Sequence, residues 1–201
     1  MSVRMTLAAL VAGAAVAVAD STLNSATAAA GVAAGSGTEL IGTAPPPWTL
    51  ADWIGSAPLS LARLRGKVVL MRWFTDTSCP YCSLTAPALN QLHHDYAARG
   101  LVVIGVYHHK RSDALDLAAV RGWAHDYGFA FPVAVDRDWR TLRRWWLDGH
   151  PRDFTSVSFL IDQHGVIRHI HAGGTLALGT SDFDALRARI DQLLGGQDPG
   201  S

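Results

Sequence analysis

Cysteine is nearly missing from this chain: there are two among 201 residues, Cys79 and Cys82, three positions apart. With 49% hydrophobic residues the chain can bury a substantial core in one domain without covalent staples. A staple closing so short a loop would add little in any case. No second Cys-x-x-Cys completes a four-ligand zinc site, although nine histidines are available. Covalent haem attachment is excluded, because Ser83 stands where a histidine would have to follow Cys82. Excess charge is missing too. Seventeen basic and 17 acidic side chains cancel, which leaves no electrostatic footprint for nucleic acid or an acidic membrane surface. No internal repeat occurs, and no apolar run reaches the roughly 20 residues of a membrane span.

What is present converges on the two cysteines. Val68, Val69, Leu70, Met71, Trp73 and Phe74 form an almost unbroken apolar run, the pattern of a strand buried on both faces. Pro80 fits the first turn of a helix, where its missing N–H is not needed. Cys79 therefore falls at a helix N-terminus, where unpaired N–H groups and the positive end of the macrodipole favour a thiolate. Its pKa is expected in the roughly 3.5–7.5 range of activated cysteines. Cys82 lies about one helical turn further on and points back, placed to resolve a mixed disulfide. Cys79 reads as the attacking sulfur and Cys82 as the resolving one.

The N-terminus has a different character. Arg4, the small apolar stretch Leu7 to Ala19 and Ala17-Val18-Ala19 before Asp20 make an export signal over 1–19. Residues 20–43 have linker composition, rich in Ala, Gly, Ser and Thr. The folded domain is expected over 44–195, with a disordered tail at 196–201. Export gives a periplasmic or extracellular protein with no stable membrane insertion after signal cleavage, although an uncleaved N-terminal anchor is an alternative. A lone Cys-x-x-Cys in an oxidising medium also needs a redox partner to recycle it.

Along the domain, Trp48 to Leu50 and Leu59 to Leu61 read as short strands or edge segments around a turn at Gly55 to Pro58. The helix after the cysteines should run to about Arg99, kinked at Pro87 and ended by Gly100. A buried strand follows at Leu101 to Tyr107. Next come a helix from about Asp113 to Tyr127, a strand at Phe131 to Val135 and a short helix around Trp139 to Trp146. This alternation implies parallel strands with right-handed crossovers. The end changes rhythm: Val157 to Ile161, a turn at Asp162 to Gly165 and Val166 to His171 make a hairpin, and Phe183, Leu186, Ile190, Leu193 and Leu194 mark a terminal amphipathic helix.

That order, with Pro87 five residues past Cys82, resembles the thioredoxin fold. Leu64-Arg65-Gly66-Lys67-Val68-Val69-Leu70, Val103-Ile104-Gly105-Val106-Tyr107-His108, Ser158-Phe159-Leu160-Ile161-Asp162 and Gly165-Val166-Ile167 are similar to the exported thiol–disulfide oxidoreductases of the TlpA and ResA type, close to the AhpC/TSA redoxin group. The resemblance implies an α/β, thioredoxin-like fold: a central mixed sheet flanked by helices, an inserted βα element and a C-terminal hairpin plus helix. It implies an enzyme with Cys79 and Cys82 as catalytic residues, supported by Pro80, Tyr81 and Ser156. Its partners are protein thiol or disulfide clients and a recycling partner; no nucleic acid, cofactor or resident metal is expected.

The chain departs from that family at several places. Ser156 stands where the family has a cis-proline facing the dithiol, so either the loop is trans or the site stores strain; Pro151 is five residues too early. Thr85 replaces a glutamate three residues past the second cysteine, and Ser78 replaces the aromatic before the first. Asp76, the nearest carboxylate, reads either as a proton acceptor or as a loop cap. His108-His109-Lys110 falls at the edge where open α/β sheets place ligands, or is simply solvated loop. His169 and His171 share a strand face and are either metal ligands or exposed hairpin residues. Trp139, Trp145 and Trp146 with Arg143 and Arg144 form either a docking surface or core. Two other functions stand beside the leading one. A thiol peroxidase of the redoxin type would normally carry Thr and Pro where this chain has Asp76 and Arg72. A copper or zinc chaperone would use the dithiolate and one histidine.

Overall fold

The structure is a computed structural model that describes residues 35–195; the expected export signal, most of the expected linker and the expected tail from 196 lie outside the described residues. Its centre is one six-stranded sheet of order β1-β4-β3-β2-β5-β6. The strands are β1 Asp52–Ile54, β2 Val68–Phe74, β3 Leu101–His108, β4 Val133–Asp136, β5 Val157–Ile161 and β6 Ile167–Ala172. β2, β3 and β4 run parallel, whereas β5 and β6 add antiparallel on one side and β1 on the other. The helices are α1 Pro80–Tyr96, α2 Leu117–Asp126, α3 and α4 Ser181–Leu194, where α3 is a turn at Arg140–Leu142 that widens into a π-helical turn at Arg143–Leu147.

Every residue of β2 is buried, because both faces of the sheet are covered. Val69, Met71 and Trp73 point toward Trp145, Trp146 and Phe159. Val68 and Leu70 point the other way, toward Leu89 and Leu92 of α1 and Phe183, Leu186 and Ile190 of α4. Phe74 and Cys82 join Tyr107, Val133 and Val135 beneath Val120 and Ala124 of α2. The tryptophans expected either as a docking surface or as core are therefore divided: Trp145 and Trp146 are buried, and Trp139 is half-buried.

Three expectations need correction. Trp48 to Leu50 and Leu59 to Leu61 are not strands. The indole N–H groups of Trp48 and Trp53 donate to the Leu59 and Leu50 carbonyls, and the sheet is instead extended by Asp52–Ile54, paired with Val135 to Val133. α2 begins at Leu117 rather than near Asp113, because the Asp116 carboxylate accepts the Ala118 N–H and starts the helix there. The packed region also begins before residue 44. Gly42 donates to the Ile167 carbonyl, Ile167 donates to the Thr43 carbonyl, and Leu40 packs on the core. Gly37, at φ 79°, lies where a Cβ would stand 2.6 Å from the Trp146 ring, so only glycine fits.

Candidate functional site

β2 delivers the chain to the C-terminal edge of the sheet, and a tight loop turns it into α1. Asp76 shapes that loop. Its Oδ1 accepts the Ser78 N–H at 3.0 Å and, at short range, the Ser78 hydroxyl, while its backbone carbonyl accepts from Cys79 N and the Tyr127 hydroxyl. Burial pushes the Asp76 carboxyl up, but the Ser78 hydrogen bonds, together with the Arg111 charge and the Thr75 hydroxyl, hold the group below its ordinary value. Of the two readings of Asp76, the geometry matches the loop cap.

Cys79 is the N-cap of α1, with extended backbone (φ −80°, ψ 107°) and Pro80 at the first helical position. Its sulfur accepts the Cys82 N–H at 3.2 Å. The two cysteines are joined as a disulfide with Cα atoms 5.3 Å apart. Their surroundings differ: Cys79 is half-buried and borders solvent, whereas Cys82 is 6% exposed. Tyr81, between them, is 54% exposed and stands out beside the pair. Thr85 lies one turn below Cys82, and its hydroxyl accepts the Leu176 N–H. In this chain that position fastens a loop.

The sulfurs face a cleft of about 380 Å³. One wall is Trp73, Thr75, Cys79, Tyr81 and Cys82; the other is Asp153, Phe154, Thr155 and Ser156, with His108 and Lys110 at the base and rim. Ser156 is thus brought into the same cleft as the cysteines. Every peptide bond among the described residues is trans, which settles the two alternatives for that loop. The Ser156 carbonyl accepts the Gly173 N–H at 2.6 Å, and the Phe154 carbonyl accepts the Trp146 indole N–H at 2.9 Å. Arg152, buried at the start of this wall, lies 4.0 Å over the Trp146 ring, donates to the Trp146 carbonyl and pairs with Glu39.

His108 and Lys110 belong to the site, while His109 turns away to Tyr107 and Asp113. His108 is 2% exposed, and burial, aided by the nearby Lys110 charge, drops its pKa to about 3, so the ring is neutral. Thr155, Phe154 and Asp153 are residues that sequence reasoning missed. The only signal was their place directly before Ser156, and side chains meeting across 47 positions leave no periodicity to read. His169 and His171 sit elsewhere. Arg72, buried in β2, donates to His171 Nδ1 at 3.3 Å, and His171 Nε2 faces Asp182 at 3.4 Å. Burial pushes the pKa of both histidines down. Among the described residues, no group of three or more His, Cys, Asp or Glu side chains is set to hold a metal ion.

A buried parallel strand, a cysteine pair at the start of the next helix and a facing loop before an antiparallel strand define a thioredoxin-like fold with a dithiol–disulfide site. The chain belongs to the AhpC/TSA family, whose model matches residues 41–170. It is 31% identical over 165 residues to protein DipZ of Mycobacterium bovis, which covers 81% of this chain and 22% of that one. It is 30% identical over 127 residues to the thiol-disulfide oxidoreductase ResA of Bacillus thuringiensis, covering 63% of this chain and 66% of the relative. The chain thus spans about a fifth of the length of DipZ. Among solved structures, a thiol-disulfide isomerase from Corynebacterium glutamicum is similar at 26% identity and a TM-score of 0.60, covering 74% of this chain and 96% of that chain.

Proposed function

We propose that this chain is an exported thiol–disulfide oxidoreductase that exchanges disulfides with protein cysteines through Cys79 and Cys82. The observation that carries the reading is the asymmetry of the pair. Cys79 caps α1, takes an N–H from Cys82 and borders the cleft, whereas Cys82 lies beneath it. In the reducing direction the Cys79 thiolate attacks one sulfur of a client disulfide, and the other client sulfur leaves as a thiolate that takes up a proton. Cys82 then gives up its proton and attacks the Cys79 sulfur. The mixed disulfide breaks, the second client thiol is released, and the Cys79–Cys82 disulfide forms. Two electrons and two protons have passed to the client, and a dithiol partner must return them; the oxidising direction is the reverse.

Tyr81 and Ser156 support the exchange by presenting an apolar ring and a polar backbone to the client chain on opposite sides of the sulfurs. Pro80 holds the helix start. Export rests on the composition of residues 1–19, and no described helix is long and apolar enough to cross a membrane. Reduction of insulin by dithiothreitol, with and without the protein, tests the activity. Catalysis lost in Cys79→Ala supports the reading, and catalysis unchanged in that variant removes it. N-terminal sequencing of the secreted form should begin at Asp20; an intact Met1 on exported protein would mark an uncleaved anchor instead.

A further inference from the structure

The two walls of the cleft come from neighbouring antiparallel strands, β2 and β5, yet each continues beyond the ladder before it reaches the sulfurs. A side chain from β3 bonds to both of them there. His108, the last residue of β3, places Nδ1 2.9 Å from the Phe74 carbonyl and Nε2 2.9 Å from the Thr155 hydroxyl. A carbonyl only accepts, so Nδ1 carries the proton. Nε2 is then a lone pair, and the Thr155 hydroxyl donates to it. Phe74 directly precedes the loop that carries Cys79, and Thr155 directly precedes Ser156. One imidazole, 2% exposed, spans the base of the cleft with both nitrogens used.

The ring is itself held in place. Trp139 meets it edge-on with centroids 5.2 Å apart, and the Trp139 indole N–H donates to the His109 carbonyl. Trp139 does this from a left-handed backbone at φ 59°, a conformation that a bulky L-residue keeps only where the surroundings enforce it.

We propose that His108 is a positioning residue for disulfide exchange: bonded to the Phe74 carbonyl and the Thr155 hydroxyl, it fixes the gap between the wall carrying Cys79 and the wall carrying Ser156. This rests on the oxidoreductase reading above. A fixed gap holds the donors of Ser156, its N–H and its hydroxyl, at constant distance from Cys79. They stabilise the thiolate, which bears the charge, more than the neutral disulfide. Releasing the facing wall removes that stabilisation and favours the oxidised form.

The test uses the full chain and the pair Thr155→Val and Thr155→Ser, because valine keeps the shape and loses the hydroxyl while serine keeps the hydroxyl. Equilibration of the Cys79–Cys82 pair with reduced and oxidised glutathione should shift about tenfold toward the disulfide in Thr155→Val, about 30 mV for a two-electron couple. The Cys79 thiolate absorbance should titrate at higher pH in the same variant. Thr155→Ser should stay within twofold of the parent in both. His108→Gln, whose amide offers one donor and one acceptor, should fall between parent and Thr155→Val. A Thr155→Val protein that melts lower but keeps the parental equilibrium and titration would overturn the proposal and leave the contact a purely structural one. If the parent equilibrates with glutathione but reduces no protein disulfide, the oxidoreductase reading fails, while the glutathione shift still decides for or against the positioning role.

Discussion

At Cys79 the deciding feature is local: a sulfur at the first turn of a helix with an N–H pointed at it. Charge on that sulfur is stabilised by the helix start, and charge on the buried Cys82 sulfur is penalised. Iodoacetamide at pH 5 should therefore modify Cys79 of the reduced protein at least tenfold faster than Cys82, read by peptide mass mapping; equal rates would reverse or abolish the assignment. Cys82→Ala should accumulate a mixed disulfide with client, visible on non-reducing gels. Ser156 makes a second prediction at this scale. It supplies an N–H and a hydroxyl where proline has neither, so Ser156→Pro should raise the Cys79 pKa and lower the reduction potential, by about 30 mV for each 1.4 kcal/mol of thiolate stabilisation lost. Unchanged pKa and potential would remove Ser156 from the site.

Among the elements, the segment between α3 and β5 is held at almost every step: Arg152 on Trp146, the Phe154 carbonyl on the Trp146 indole, Thr155 on His108 and the Ser156 carbonyl on Gly173. A loop fastened so often keeps its shape with serine rather than proline at position 156. Trp146→Phe keeps the ring under Arg152 and against Phe159 but leaves the Phe154 carbonyl without its donor. It should cost about 1–3 kcal/mol in urea unfolding, the usual penalty for stranding a buried polar group. A loss below about 0.5 kcal/mol would mean that water replaces the indole. α3 itself is anchored by Asp136, whose carboxylate accepts the Thr141 and Leu142 N–H groups.

For the whole molecule, three histidines kept neutral by burial make acid the weak side. His108, at about 3, and His169 and His171, also pushed down, bind protons in the unfolded chain from about pH 6.5 but resist them when folded. Where the unfolded state binds more protons, stability rises with pH. Cooling of the melting transition should thus begin as pH falls below about 6.5, at up to about 1.4 kcal/mol per pH unit for each fully resisting histidine, and for His108 continue to about 3. Asp136, pushed up by burial, acts with the opposite sign, but its ordinary range lies near 4. Calorimetry at pH 7.5 and 5.0 checks this; equal melting temperatures would contradict the neutral rings. Removing residues 1–43 takes away Leu40 and the Glu39 partner of Arg152, on the order of 3 kcal/mol. The melting temperature should drop by about 6–12 °C. A chain beginning at Ala34 should not show that drop.

Some of this protein is written in short stretches. An apolar run without alternation specifies a strand covered on both faces, Pro80 after Cys79 specifies a helix start, and Gly100, at φ 110°, closes the segment after α1. Those rules act over a few residues, so the order of elements and the cysteine pair are legible in the sequence, as is the hairpin before α4. The rest depended on chain crossings. Residues 37–43 read as linker because nothing in their composition shows that Gly37 lies against Trp146 and Glu39 meets Arg152. His108 and His109 look alike on the page, yet one becomes the buried bridge to Thr155, 47 residues away, and the other binds its own loop. Arg72 reads as a break in an apolar strand, and only the fold supplies His171, 99 residues on, and the Gly174 carbonyl for its guanidinium. Backbone preference is local and survives in sequence; desolvation and hydrogen-bond satisfaction belong to whichever groups the sheet brings together, and only the tertiary structure decides which those are.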